Sequence, residues 1–292
     1  MTLRISVKHL TRPRLFLMLT LLVAACSGGP ELASIRFEKT LLPNRLYTVN
    51  ALTESSSGIE IERMPGMEGL ISEKHSATAR SRQLLTTGPL FEGAIPLRLE
   101  TMDYDGTDDS LEMHFNLAGV YGNARFDSSS KQISLLDLQG ECQDTLLSLQ
   151  DVGDFLVSAY QAIQGALLDT VRQFSVGQSD TVSGVQLHPM GPLNMSLKEI
   201  SVYTLDRIQG DSAWFSVKRW AELQDDEMVT SLNTTVEGTG SGSMLYLMSE
   251  NYVVQTSLST SLTVSHTTDS LAFVATSGSR IDVTTTIEPS QP

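Results

Sequence analysis

Between Thr101 and Glu112 the chain sets oxygen-bearing side chains at the intervals of a calcium loop. With Thr101 as position 1, Asp103, Asp105, Asp109 and Glu112 fall at positions 3, 5, 9 and 12, and Gly106 falls at position 6. Carboxylates so spaced would wrap a hard divalent cation in oxygen. The pattern departs from that chemistry in three ways. Position 1 lacks its acid, Asp108 stands where an apolar residue belongs, and both flanks alternate as strands. A solvated hairpin turn accounts for Asp103-Tyr104-Asp105-Gly106 without a cation, because glycine supplies the positive φ of a tight turn. The expectation is an acidic turn, with no metal ligands assigned.

Gly238-Thr239-Gly240-Ser241-Gly242-Ser243 has the composition of a phosphate loop. It has neither the lysine of a P-loop nor the last glycine of Gly-x-Gly-x-x-Gly, and the following Met244–Met248 alternates as strand rather than helix. The glycines are better explained by a bulge, a bend or close packing across a sheet. His75, His114, His188 and His266 pair with no nucleophile signature and no metal-ligand spacing. Trp214 and Trp220 stand six apart on an alternating segment, which puts them on one face, where packing explains them more simply than carbohydrate stacking. No catalytic residue and no cofactor-binding residue is assigned.

The elements that would position these groups are mostly strands. Alternation runs through Tyr47 and Val49, resumes at Ile59 and Ile61 beyond an apparent turn at Ser55–Gly58, and returns at Ile95–Leu99 and Leu111–Leu117. Two short strands flank Asp127–Ser130. Residues 65–93 hold no period and read as loop with short strands. Leu149, Val152, Leu156, Ala159, Ile163, Leu167 and Val171 then recur at three- and four-residue spacing, with Phe155, Tyr160 and Phe174 widening the stripe. That spacing predicts one long amphipathic helix ended by Gly177. Strands are expected again at Ile200–Ile208, Ala213–Trp220, Val229–Gly238, Ser243–Met248, Tyr252–Val264, Leu271–Ala275 and Arg280–Ile287. Tyr47-Thr48-Val49-x-x-Leu52 also aligns with Tyr203-Thr204-Leu205-x-x-Ile208, and Ser56, Ile59, Ile61 and Arg63 continue onto Ser212, Phe215, Val217 and Arg219. The alignment is compatible with two related halves or with chance similarity between two hairpins.

The amino terminus carries Arg4, Lys8, Arg12 and Arg14, then an apolar run from Leu15 to Leu22, then Val23-Ala24-Ala25-Cys26-Ser27. This is the three-part plan of a secretory signal, and its apolar run is shorter than the roughly 20 residues that span a bilayer. Val-Ala-Ala-Cys resembles the lipobox of bacterial lipoproteins. The resemblance implies that Cys26 is acylated, with a diacylglyceryl group and an amide-linked chain, and becomes the first mature residue. Ser27, where inner-membrane retention has aspartate, implies the inner leaflet of the outer membrane in a Gram-negative host. Loss of the leader removes four basic residues and no acidic ones, leaving 16 basic against 34 acidic and a formal charge of −18. Such a surface disfavours nucleic acid and peripheral attachment to anionic membranes. Lipid on Cys26 would also leave Cys142 without a disulfide partner in the chain.

The expected organisation is a signal peptide at 1–25, lipidated cysteine and tether at 26–44, an N-terminal β half at 45–140, a helical segment at 141–177, a C-terminal β half at 178–288 and a tail at 289–292. The fold class is α+β, mainly β, with curved antiparallel sheet and the helix between its halves. That plan resembles uncharacterised bacterial envelope lipoproteins and, in architecture, the half-barrel-with-helix form of lipoprotein carriers. Three functions are compatible with it. The first is non-enzymatic binding or scaffolding at the membrane, with an envelope protein as partner. The second is carriage or sensing of a lipid or other hydrophobic ligand between sheet and helix. The third is hydrolysis at a site assembled by the fold. No cofactor is expected.

Overall fold

Serine, threonine and β-branched residues alternating with large apolar ones suit a pleated surface with one face buried, and the chain uses them almost without interruption. The computed structural model describes residues 33–38, 41–63, 71–92, 95–109, 111–117, 120–127, 132–139, 172–190, 193–223, 233–269 and 271–290. Their regular elements are fourteen strands: β1 (Ser34–Phe37), β2 (Arg45–Arg63), β3 (Ile71–Thr87), β4 (Ile95–Asp108), β5 (Leu111–Leu117), β6 (Val120–Asp127), β7 (Gln132–Gln139), β8 (Arg172–Ser175), β9 (Ser179–Met190), β10 (Leu193–Gln209), β11 (Ser212–Leu223), β12 (Thr234–Leu247), β13 (Tyr252–Thr267) and β14 (Ala272–Pro289). The fold is therefore all-β, which corrects the α+β expectation. The residues on which the helix was expected, 149–171, lie outside the described part of the chain. At its edge, Phe174, counted in the helical stripe, stands on strand β8, and Gly177 (φ 83°) serves the turn into β9 rather than ending a helix.

Twelve strands form one antiparallel sheet in the order β7-β6-β4-β3-β2-β14-β13-β12-β11-β10-β9, with β5 paired to β4. The last strand joins the first long one along its whole length, from Ala272 opposite Arg63 to Pro289 opposite Arg45. Strands from both expected halves therefore belong to one sheet. The proposed internal match fails, because Tyr47–Arg63 lies on one uninterrupted strand while Tyr203–Arg219 turns a hairpin at Gly210-Asp211. The sheet curls on itself. β9 is hydrogen-bonded to β10 yet brings its Cα atoms within 8 Å of β14 and β2.

Two apolar clusters fill this curl. At the end where β2 begins, Tyr203, Leu205, Phe215, Met244, Tyr246 and Val253 receive β1 and β8, a separate two-stranded ribbon whose Ile35, Phe37 and Phe174 are buried. The Phe37 ring lies 4.5 Å from Tyr246 and 5.8 Å from Phe215, and Phe174 lies 5.2 Å from Phe215. The Tyr246 hydroxyl accepts from the Glu38 amide (3.4 Å) and has the Glu38 carbonyl (3.3 Å) and the Asn251 Oδ1 (3.1 Å) as alternative acceptors for its one proton, which ties the ribbon down, and its burial raises the phenol pKa. At the other end Ile59, Ile61, Leu197, Leu262, Val264, Phe273 and Ala275 pack together, so β10 faces β2 and β14 across the interior.

Three segments that look like breaks in the sequence are strand interiors. Ser55-Ser56-Ser57 of β2 lies opposite Ser279-Gly278-Ser277 of β14, which lies opposite Thr260-Ser261-Leu262 of β13, which lies opposite Gly240-Thr239-Gly238 of β12. Small residues thus form a continuous belt between the two apolar clusters. The glycines of β12 are required there. A Cβ on Gly242 would stand 2.1 Å from the Ser257 carbonyl oxygen and 2.9 Å from the Leu258 Cα. Backbone atoms cannot retreat as a flexible side chain can. Gly242→Ala should accordingly cost about 3 kcal/mol of unfolding free energy, whereas Gly184→Ala on edge strand β9, with no atom within 4 Å, should change it by less than about 0.5 kcal/mol. Urea unfolding of both variants measures the difference, and equal stabilities would refute the close-approach account.

Candidate functional site

The belt meets the interior in two successive rungs, and these build a cavity. One rung runs Glu199–Ala221–Gly238–Leu262–Ser277, and the next runs Ser201–Arg219–Gly240–Thr260–Ser279, each across β10, β11, β12, β13 and β14. Cross-strand partners share a face, and Leu262, buried at 7% exposure, marks this face as the inner one. The rungs line a partly open pocket of about 220 Å³ between the apolar clusters. The space exists because glycine occupies the middle of both rungs. A Cβ on Gly240 would meet Thr260 at 2.8 Å and Arg219 at 3.1 Å, and one on Gly238 would meet Leu262 at 2.9 Å.

The polar content of this cavity is unusual for an interior. Arg219 is half-buried, and its Nε–H donates to the Oγ of buried Ser201 at 3.0 Å. Glu199 lies diagonally across from Arg219 on the same face, at the reach of long side chains. Thr260 and Ser279 share a hydroxyl–hydroxyl bond of 2.6 Å. Burying charge is costly unless it is paired or used. A guanidinium whose Nε is held in place presents a planar fork suited to carboxylate or other acceptor-rich groups, beside hydroxyls that both donate and accept.

The acidic residues from 103 to 112 do not converge. The hairpin of β4 and β5 turns at Asp108-Asp109 (φ 51° at Asp109), beyond the expected Asp103–Gly106. Asp103 and Asp105 stand inside β4, on the sheet's outer face, opposite Arg82 and Arg80 of β3 in direct register. These four side chains line an open groove of about 400 Å³ with Asn50, Leu52 and Asp282. Asp105 takes His114 Nδ1 at 2.5 Å, Asp103 accepts from Asn116, and Asp109 accepts the Ser76 amide at 2.7 Å and pairs with His75 Nδ1 at 2.6 Å. Each carboxylate is committed to a different neighbour. No group of three His, Cys, Asp or Glu residues arranged to hold a metal occurs among the described residues.

The histidines are dispersed over β3, β5, β9 and β13. His266 is buried, stacked on Phe273 at 5.3 Å and hydrogen-bonded to Thr234 at 3.0 Å. The side chain of His188 is outside the described set, as are Cys26 and Cys142. Trp214 and Trp220 share the outer face, Trp214 beneath the Arg207 guanidinium at 4.4 Å and Trp220 donating to Glu222 at 3.1 Å. Sequence reasoning missed Glu199 and Arg219. The available signal was the Gly-x-Gly-x-Gly alternation, which strips one strand face of side chains and leaves room beside a neighbouring strand's charge.

No protein-family model and no curated protein matches the chain. Among solved structures it is similar to lipovitellin, studied for its lipid–protein interactions, with a TM-score of 0.43 and 9% identity over 87% of this chain and 26% of that one. It is also similar to an outer membrane channel from Pseudomonas putida F1 (TM-score 0.25, 7% identity, 86% of this chain and 98% of that one). A third likeness is to OccK7 (OpdD) of Pseudomonas aeruginosa (TM-score 0.25, 7% identity, 83% and 99%). All three scores lie below 0.5.

The exposed His75–Asp109 pair gives a direct check on the outer turn. Its hydrogen bond to Asp109 holds the His75 pKa above 6.5, while the Ser76 amide and then His75 hold Asp109 below 3.8. A raised histidine pKa means the pair's contribution is full below the unfolded-state value and fades as pH rises through the folded one. NMR titration should place the His75 midpoint above that of a free imidazole, and Asp109→Asn should bring it down. An unmoved midpoint would show that the pair does not form in solution.

Proposed function

We propose that this protein is a lipid-anchored lipoprotein of the bacterial envelope, held at the periplasmic face of the outer membrane by acylated Cys26, that binds a small polar ligand without transforming it. The Val-Ala-Ala-Cys segment supports the anchor. The observation that supports binding is the half-buried Arg219, set by Ser201 into an interior space that Gly238 and Gly240 keep open. A ligand bearing a carboxylate or several hydroxyls would satisfy the guanidinium and the Thr260, Ser277 and Ser279 hydroxyls at once. Carriage of a hydrophobic ligand is less well supported. The helix that was to form one wall is not among the described elements, the apolar clusters pack ring against ring, and the pocket between them sets Glu199, Arg219 and several hydroxyls beside Ala221 and Leu262.

Native mass spectrometry of protein extracted from the envelope, followed by thermal-shift titration with short carboxylates and polyols, tests the binding site. A charge-assisted hydrogen bond contributes about 1.5–3 kcal/mol, so Arg219→Gln should weaken the best ligand roughly 10- to 100-fold. Ser279→Leu, which fills the cavity, should abolish binding while leaving the fold intact. Equal affinity in wild type and both variants would refute this site. For the anchor, Cys26→Ser should lose the acyl mass and leave the membrane fraction on extraction without detergent. Retention of that variant would overturn the lipid-anchor assignment.

A further inference from the structure

Building on the lipid-anchored reading above, we propose that the Leu90-Phe91 tip of the β3–β4 loop is a second membrane contact, inserting into the phospholipid interface and fixing which end of the sheet faces the bilayer. Phe91, at 69%, is the most exposed large hydrophobic among the described residues, and adjacent Leu90 is 60% exposed. Leu111 is comparably exposed (62%), but it stands singly at the opposite end of the sheet beside Asp108, Asp109 and Glu112. Isolated exposed apolar residues are ordinary, whereas adjacent ones in one loop form an apolar patch of the kind that marks an interaction surface.

The base of the tip is well tied. Gly88 donates to the Pro96 carbonyl (2.8 Å), Asn44 donates to the Gly88 carbonyl (3.2 Å), and Ser290 donates to the Asn44 carbonyl (3.0 Å). Pro89 stiffens the approach to Leu90. This apolar pair is therefore held in a defined place rather than left to collapse onto the sheet.

The occupant follows from where the chain emerges. β1 begins at Ser34, and the ribbon it forms with β8 packs into the cluster at the end of the sheet where β2 starts and β3 finishes, which is the end that carries the tip. The eight residue steps from Cys26 to Ser34 reach at most about 30 Å. A lipid on Cys26 thus keeps this end within reach of the bilayer. Glu92, Asp211 and Glu250, the last paired with Arg45, stand at the same end, so a zwitterionic surface suits it better than an anionic one.

Full-length acylated protein carrying Cys142→Ser, with a nitroxide on Phe91→Cys or on Thr107→Cys at the opposite end, is to be reconstituted in phosphatidylcholine vesicles. The position-91 label should lose collisions with a water-soluble nickel chelate and gain collisions with oxygen, while the position-107 label stays nickel-accessible. Equal nickel access at both positions overturns the proposal. Intact mass of the same preparation reads the anchor separately. If Cys26 carries no lipid, the anchor reading falls, and flotation of the labelled protein with the vesicles still decides the tip: flotation with a shielded position-91 label upholds it, and absence of flotation overturns it.

Discussion

The close approach of β12 to β13 governs the rest. At Gly242 the space for a methyl group is already taken by the Ser257 carbonyl and the Leu258 backbone. Side chains on the inner face would hold these strands apart and flatten the sheet. Without them the sheet turns tightly enough for β10 to face β14 and for Glu199 and Ser277 to line one cavity. The same absence of side chains leaves that cavity empty. Curvature and interior space are two results of one choice of residue.

A sheet so curled has open ends, and each is closed by different means. The β1–β8 ribbon inserts Phe37 and Phe174 among Phe215 and Tyr246, joining residues more than 200 positions apart. The edge-to-face pairs of Phe215 with Phe37 (5.8 Å) and Phe174 (5.2 Å), and the tilted Phe37–Tyr246 pair (4.5 Å), add to the area they bury. The opposite end closes on itself, with Leu197 of β10 set against Ile59 and Ile61 of β2. The polar belt lies between these two dry regions, which is why a guanidinium can stand there at tolerable cost.

Acidic residues outnumber basic ones 34 to 20, and those of β4 are placed on the outer face. Asp103 and Asp105 lie opposite Arg82 and Arg80, and His75 and His114 are paired with Asp109 and Asp105. This local matching lets carboxylates stand at two-residue intervals along one strand without a cation between them. The spacing that resembled a calcium loop is the period of a strand face.

Alternation in Tyr47–Val49, Ile95–Leu99 and Tyr252–Val264 was enough to establish strands and their buried face, because a pleat has period two whatever its neighbours. The hairpin after β4 was legible too, displaced by a few residues. Ser55–Gly58 was misread as a turn, since a run of small residues signals a turn when it stands alone, whereas close packing across a sheet was among the readings of the Gly238–Ser243 glycines. Their role appears once the register sets them side by side, and register is a property of pairing, not of any one segment. Glu199 and Arg219 were invisible for the same reason: twenty residues separate them in sequence, and only the β10–β11 pairing puts them on one face. The sequence by itself determined that this chain forms strands, and it carries the lipobox-like segment at Cys26. Only in the folded molecule does one curled sheet join β2, the first long strand, to β14, the last, because backbone hydrogen bonding is indifferent to side-chain identity and closes wherever the inner faces fit.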